Sequence, residues 1–209
     1  MVGAEAMAEA LADDEIEAVT VIVRRPVQST HPKLHIVIHK NFSDYSGLTQ
    51  LFQNHDACLW CLGISQTLVS KDEYYMITYE YTIAAAKAIA QTSPNMTFLF
   101  VSGMGADPSE KSRTLFARVK GKTENALQTL PLKRLIIVRP GGIEPVRPRE
   151  NAPTFEKMFA PLYPILRRIA PSFVITSSEL ARVMIYLVKH DLGNARLSNR
   201  DMKQLLKDI

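Results

Sequence analysis

Two cysteines, Cys58 and Cys61, stand in a CxxC pattern, the spacing of a redox pair or of half a zinc site. Around them ACLWCLG is a near-continuous apolar run that reads as a buried strand. Residues three apart on a strand point to opposite faces, so the two sulfurs cannot bridge without breaking it. With no second cysteine pair for zinc, both are expected to be plain core thiols in a reducing compartment. His31, His35 and His39 recur every four residues. Pro32 and the alternating LHIVIH argue for a strand, with His35 and His39 on one face and no carboxylate or third ligand placed with them. No metal site is expected.

These side chains belong to a chain of 209 residues, 46% hydrophobic and 22% charged, ample for one domain with a real core. That balance excludes collagen, coiled coil, long disorder and a disulfide-rich secreted scaffold. The net charge of +4 favours anionic ligands but is too small and too dispersed for nucleic acid. No apolar run reaches the roughly 18 residues of a membrane span. The best stretch, near Phe155 to Ile175, is broken by Arg167, Arg168 and three prolines. No basic region followed by an apolar core opens the chain, so no signal peptide is expected and the location is read as cytoplasmic.

The elements that must position any site alternate. A helix is predicted over Ala4 to Asp13, then strands Ala18 to Arg25 and Leu34 to Phe42, and a helix over Tyr45 to Asn54. The strand Ala57 to Gly63 precedes a long helix, Asp72 to Gln91; the strand Thr97 to Gly103 precedes a helix over Ser112 to Leu130; the strand Arg134 to Arg139 runs into Pro140-Gly141-Gly142. Short strands, β-branched and apolar on both faces and alternating with helices, describe a parallel sheet covered on both sides, an α/β fold. Beyond Gly142, Glu144 to Pro153 reads as a loop and Phe155 to Phe173 as apolar, basic and proline-punctuated. Thr176-Ser177-Ser178-Glu179 then opens a helix as a capping box, with an apolar stripe at Leu180, Val183, Met184, Leu187 and Val188.

The paired arginines after a strand, CLG after a buried strand, VSG after the next, FARVKGKTENAL on a helix and then VRPGG together resemble the atypical short-chain dehydrogenase/reductase family. Its members are NAD(P)-binding Rossmann proteins of the nucleoside-diphosphate-sugar epimerase-like kind, and the Tat-interacting-protein type is a near relative. The resemblance runs in order and spacing over nearly the whole chain. It implies a doubly wound parallel sheet, with residues 1–142 as the cofactor-binding domain and 143–209 as a small C-terminal lobe packed on it.

The family opens with a strand and a GxxGxxG turn that lets the backbone approach a diphosphate at a helix N-terminus. Here Met1-Val2-Gly3 leads straight into the helix; Gly3 resembles the last glycine of the motif, and the first strand and earlier glycines are absent. In the order 3-2-1-4-5-6 that strand is central. Its loss forfeits roughly 1.5–3 kcal/mol per buried apolar residue, against roughly 5–15 kcal/mol of total stability. Three outcomes are open: a longer native chain, which is the expectation, a re-paired sheet, or a marginal protein.

Active relatives pair a Ser with Tyr-xxx-Lys on a helix, where the i, i+4 spacing puts Tyr and Lys on one face. The Lys lowers the Tyr pKa and binds ribose, so that the phenol exchanges a proton with a carbonyl. The resemblance maps the Ser to Ser102 and the Lys to Lys120, but the Tyr position is Phe116, which has no proton to exchange. Phe116 also fits a core stripe with Leu115, Val119 and Leu127; a replacement acid would have to come from Tyr74, Tyr75, Tyr79 or Tyr81.

For the cofactor, an acidic residue ending the second family strand would bind the ribose hydroxyls of NAD. Arg24 and Arg25 stand there instead, and guanidinium forks suit a phosphate, so NADP is expected over NAD. Asn41 and Phe42 resemble the adenine contact, Leu62 and Gly63 the turn beneath adenine and ribose, and Pro140 and Gly141 the turn beside the nicotinamide. Without the glycine-rich turn, binding is expected to be weak. Two functions compete: an NADP-linked reductase or epimerase-like enzyme acting on a small molecule, and a catalytically silent nucleotide-sensing or scaffold protein. A membrane-surface role for Phe155 to Phe173 is weakened by its prolines. Helices 72–91 and 112–130 are where a homodimer would form.

Overall fold

The computed structural model describes residues 1–147 and 168–209. Most of the stretch from Phe155 to Phe173 therefore lies outside the described residues. The alanine-rich start forms helix α1 (Val2–Ala12), which buries Ala6 and Ala10 and ends where Asp13 turns extended. Strands β1 (Val19–Val23) and β2 (Leu34–Ile38) pair in parallel as a two-stranded sheet, Val19 opposite Leu34. The strand expected to reach Phe42 stops at Ile38, because Asn41 folds its side chain back to accept from the Ser43 N–H and begins a turn. The expected helix over Tyr45 to Asn54 is a 3-10 turn, Ser46–Leu48, followed by the short α2 (Thr49–Gln53).

The main sheet contains β3 (Ala57–Trp60), β4 (Thr97–Val101), β5 (Arg134–Arg139) and β8 (Ala195–Ser198), parallel and adjacent in that order. A third sheet pairs β6 (Gly142–Glu144) with β7 (Val174–Thr176). Between β3 and β4 the chain forms α3 (Lys71–Tyr75), a π-helical segment Met76–Glu80 and α4 (Tyr81–Thr92). Helix α5 (Leu115–Gln128) precedes β5. Helix α6 (Ser177–Lys189) opens on the capping box read from the sequence, with Thr176 accepting from the Glu179 N–H at 3.1 Å. Helix α7 (Asn199–Leu205) opens on a second box, Ser198 with Asp201.

Alternation along β4 and β5 builds two cores. One face sends Phe98, Phe100, Leu135 and Ile137 against Ile83, Ala86 and Ile89 of α4 and Leu127 of α5. The other sends Leu99, Ile136 and Val138 against Leu180, Val183, Met184 and Leu187 of α6, with Ala6 of α1 beside them. The cysteines follow the same rule: Cys58 packs in the first cluster and Cys61 in the second, and burial pushes both thiols up to about 12.

No backbone ladder joins β1 to β3 among the described residues. The sheet divides where the order 3-2-1-4-5-6 places its first strand, so it has not re-paired around the gap. Helix α1 packs on β1 and β3 and lies along α6.

Helix α5 approaches the 103–114 loop too closely for a side chain at Gly121, where a Cβ would fall 1.8 Å from the Asp107 carbonyl oxygen. Gly121→Ala is expected to destabilise the protein by about 1–3 kcal/mol. Urea unfolding midpoints check this, and an unchanged midpoint would mean that helix and loop are not packed as described.

Candidate functional site

Parallel strands bring their carboxyl ends to one edge. In the main sheet that edge carries Leu62 and Gly63 after β3, Ser102 after β4, and Pro140 and Gly141 after β5. The two-stranded sheet ends at Arg24 and Arg25 after β1 and, three residues past β2, at Asn41 and Phe42. Gly3 opens α1 beside Cys61: a Cβ on it would lie 3.3 Å from the Cys61 Cβ. Among the described residues no side chain caps the start of α1, which carries the positive end of the helix dipole.

The residues differ in what they offer. Arg24 and Arg25 are exposed, and neither guanidinium has a hydrogen bond or ion pair among the described residues. Asn41 and Gly63 are exposed, whereas Leu62 packs on the core. Phe42 is a core aromatic, 7% exposed, with ring centroids 6.1 Å from Tyr45 and 6.0 Å from Tyr81. Pro140 is buried, and its carbonyl accepts from the Met104 N–H at 2.7 Å. The Gly141 N–H donates to Asn199 Oδ1 at 2.9 Å, and a Cβ there would meet the Phe173 carbonyl at 2.2 Å.

Lys120 and Ser102 are both buried. The Lys120 ammonium donates to the Val101 carbonyl at 2.8 Å and lies 4.6 Å from the Phe100 ring centroid. Burial lowers its pKa to about 8, against the opposing pull of Glu124 one turn further along α5. Phe116, one turn before Lys120, lays its ring over Gly103: a Cβ on that glycine would sit 2.5 Å from the ring. This is the position that the resemblance gives to the catalytic Tyr.

Sequence reading missed the partner of Ser102. Its hydroxyl donates at 2.5 Å to Oε1 of Glu124, a carboxylate with no exposed surface. Arg139 closes on both oxygens, Nε at 2.9 Å and Nη2 at 2.5 Å, and Arg196 Nε stands 3.5 Å from Oε2. The signal was present: Ala117, Lys120, Glu124 and Leu127 fall on one helical stripe, so two charged residues were assigned to a buried face. A buried charge without partners is prohibitive, which already required cations near Glu124.

Comparison with known proteins agrees with this geometry. Residues 1–191 match the NAD(P)H-binding family, and the chain belongs to that family. It is 32% identical over 152 residues to leucinostatins biosynthesis cluster protein T of Purpureocillium lilacinum, covering 69% of this chain and 55% of that one. It is 28% identical over 136 residues to protein HTATIP2 of Rattus norvegicus, covering 64% and 54%. Protein FMP52 of Debaryomyces hansenii, described as mitochondrial, is 27% identical over 203 residues, covering 92% and 85%. The chain thus spans little more than half the length of the first two. Among solved structures, a UDP-N-acetylglucosamine 4-epimerase from Methanobrevibacter ruminantium superposes with a TM-score of 0.69 at 14% identity, covering 99% of this chain and 77% of that one. The Bordetella bronchiseptica enzyme WbmH, in complex with NAD+, gives 0.67 at 15% identity, covering 99% and 75%. The fold is Rossmann-type, and the relatives are of the atypical dehydrogenase/reductase kind that the sequence resembles. Among the described residues, no helix is long and apolar enough to cross a membrane.

Proposed function

We propose that the strand-end edge binds NADP and serves reductase or epimerase-like chemistry on a small molecule. The observation that carries this reading is the pair Arg24 and Arg25, exposed directly after β1 and without a hydrogen bond or ion pair among the described residues. Two guanidinium forks at that place suit a ribose phosphate; a carboxylate there would suit ribose hydroxyls. The free N–H groups of α1 at Gly3 supply a diphosphate contact. Asn41 and Gly63 are accessible for the adenosine half, and Lys120 would turn from Val101 to a ribose hydroxyl. Pro140 and Gly141 stand on the nicotinamide side. The bound cofactor supplies a hydride donor or acceptor.

The proton is the harder part for this chain. Phe116 offers none, and the Ser102 hydrogen is engaged by Glu124. Ser102 can therefore accept from a substrate hydroxyl more readily than donate to a carbonyl. The same two observations favour a second reading, a nucleotide-binding protein without turnover. Phe116→Tyr separates them: a gain in NADPH oxidation with carbonyl substrates marks an eroded enzyme, and binding with no gain marks a silent one.

Calorimetric titration with NADPH and NADH tests the cofactor assignment. Replacing Arg24 and Arg25 by Ala is expected to weaken NADPH at least tenfold while leaving NADH within about twofold, about 1.4 kcal/mol of phosphate recognition. Equal loss for both cofactors would remove the NADP assignment.

A further inference from the structure

The strand-end edge is not uniform. Arg24 and Arg25 stand exposed after β1, whereas hydrocarbon stands exposed around Ser102 and Gly141. Phe116 lays its ring over Gly103, and the next residue, Met104, is 45% exposed. The Met104 N–H is held by the Pro140 carbonyl, and its Cε lies 3.5 Å from the point where a Cβ on Gly141 would stand. The Phe173 carbonyl lies 2.2 Å from that same point, so Met104 and Phe173 flank Gly141. Phe173 is 54% exposed. On the other side, the Phe116 N–H donates to Gln66 Oε1 at 2.8 Å, and the turn that carries Gln66 ends at Leu68, also 54% exposed. Leu68, Phe116, Met104 and Phe173 thus form an arc past the ends of β3, β4 and β5.

Single apolar side chains on a surface are ordinary, but contiguous ones mark a binding surface. Here the backbone beneath them is anchored. Asn199, 2% exposed, accepts from the Gly141 N–H and donates to the Ser172 carbonyl, which ties the 3-10 turn Pro171–Phe173 to the end of β5. The Leu68 N–H closes its turn on the Ser65 carbonyl at 3.0 Å. Polar groups beside the arc are engaged within the protein. Both ends of the Asn199 amide are taken, Arg139 is held by Glu124, and the Asp107 carboxylate accepts from Ser109 and Ser112. Ser102 differs: its proton goes to Glu124, and its oxygen keeps the capacity to accept.

We propose that the substrate of this edge is an apolar alcohol, whose hydroxyl donates to Ser102 and whose hydrocarbon lies along Leu68, Phe116, Met104 and Phe173. This rests on the reading of the edge as the substrate side of a cofactor site, and it names the substrate class. Small-molecule sites are mostly apolar, with a few placed polar groups that fix orientation. One acceptor beside a hydrocarbon arc matches a molecule with one donor on a hydrocarbon body. A nucleotide sugar matches it poorly. Its diphosphate and hydroxyls would lose water along the arc and find the neighbouring polar groups already bonded. The ring of Phe116, which has no proton to exchange, then serves as an apolar wall.

The test titrates the protein, labelled at its methionine methyls, with linear alkan-1-ols from butanol to octanol and follows the Met104 methyl signal by NMR, with and without NADPH. The signal is expected to shift saturably, with the dissociation constant falling roughly threefold or more for each pair of added carbons. The methyls of Met184 and Met202, fully buried, report that each protein is folded. Phe173→Asp is expected to weaken octan-1-ol about tenfold. Leu192→Asp changes a side chain 52% exposed but placed before β8, at the opposite end of the sheet, and should leave octan-1-ol binding unchanged. Heptyl methyl ether, of similar length without the donor, should bind about threefold more weakly. UDP-glucose should leave Met104 unmoved. No graded shift in either condition, undiminished binding by folded Phe173→Asp, equal loss in Leu192→Asp, equal binding of the ether, or a UDP-glucose shift at Met104 overturns the proposal. Graded alkanol binding without NADPH binding retires the cofactor assignment alone; NADPH binding without graded alkanol binding retires this proposal alone.

Discussion

Glu124→Ala is expected to lower the unfolding free energy by about 3–5 kcal/mol, the range for breaking a buried ion pair from one side. The carboxylate is fully buried and takes hydrogen bonds from Ser102 and from both arms of Arg139. Removing it leaves the Arg139 guanidinium with no counter-charge among the described residues and the buried Ser102 hydroxyl without its acceptor. Glu124→Gln keeps the shape and one acceptor and should lose less. Ser102→Ala alone removes a single donor, and in combination with Glu124→Ala it should add almost nothing, because both mutations delete the same contact. Urea denaturation of the four proteins gives the cycle. A loss below about 1 kcal/mol for Glu124→Ala would place it among exposed pairs and contradict the burial.

Lys120→Met should stabilise the protein at neutral pH and abolish one feature of its pH profile. Burial brings the Lys120 pKa from its ordinary 10.5 to about 8. Between those values the unfolded chain holds the proton that the folded chain has released. The unfolded state binds more protons there, so this group makes stability rise with pH across that window; below pH 8 both states are charged and its burial cost is constant. At about 1.36 kcal/mol per pH unit the whole rise is at most about 3 kcal/mol. Above pH 9 the thiols of Cys58 and Cys61 act oppositely, since their pKa values are raised to about 12. The diagnostic is therefore the difference between wild type and Lys120→Met, which removes the shared thiol contribution. Parallel profiles would show that Lys120 is not desolvated. If the cofactor assignment holds, the same variant should bind NADPH at least tenfold more weakly: a gain in stability against a loss in binding.

The parts of this molecule legible from sequence were those written locally. Paired β-branched runs such as VTVIV and RLIIVR marked β1 and β5, and the T-x-x-E box marked the start of α6. The family resemblance gave site roles to Ser102, Lys120 and Arg24, which stand after β4, on α5 and after β1. Less legible was anything set by distant partners. Strand β8 is four residues with a polar rhythm, ARLS, and becomes a strand only because β5 offers it an edge. The π-helical segment at Met76–Glu80 leaves no mark in a pattern that reads as one continuous helix. The partners of Glu124 on helix α5, Arg139 of β5 and Arg196 of β8, come from distant parts of the chain and were not read from the sequence. Phe42, matched to a ligand contact by motif, packs its ring among Tyr45 and Tyr81.

Helix α1 lies along α6, and the Lys189 ammonium bonds to Asp13 at 2.7 Å and also reaches Glu15. That pairing joins the beginning of the chain to a segment near its end. During synthesis at about 5–20 residues per second, α1 emerges tens of seconds or less before its partner exists. Over that interval α1 has β1 and β3 to lie on but not α6, and closing so long a loop is a slow step that high sequence separation imposes. The contact of α1 with α6 is thus completed only once Ser177–Lys189 has been made.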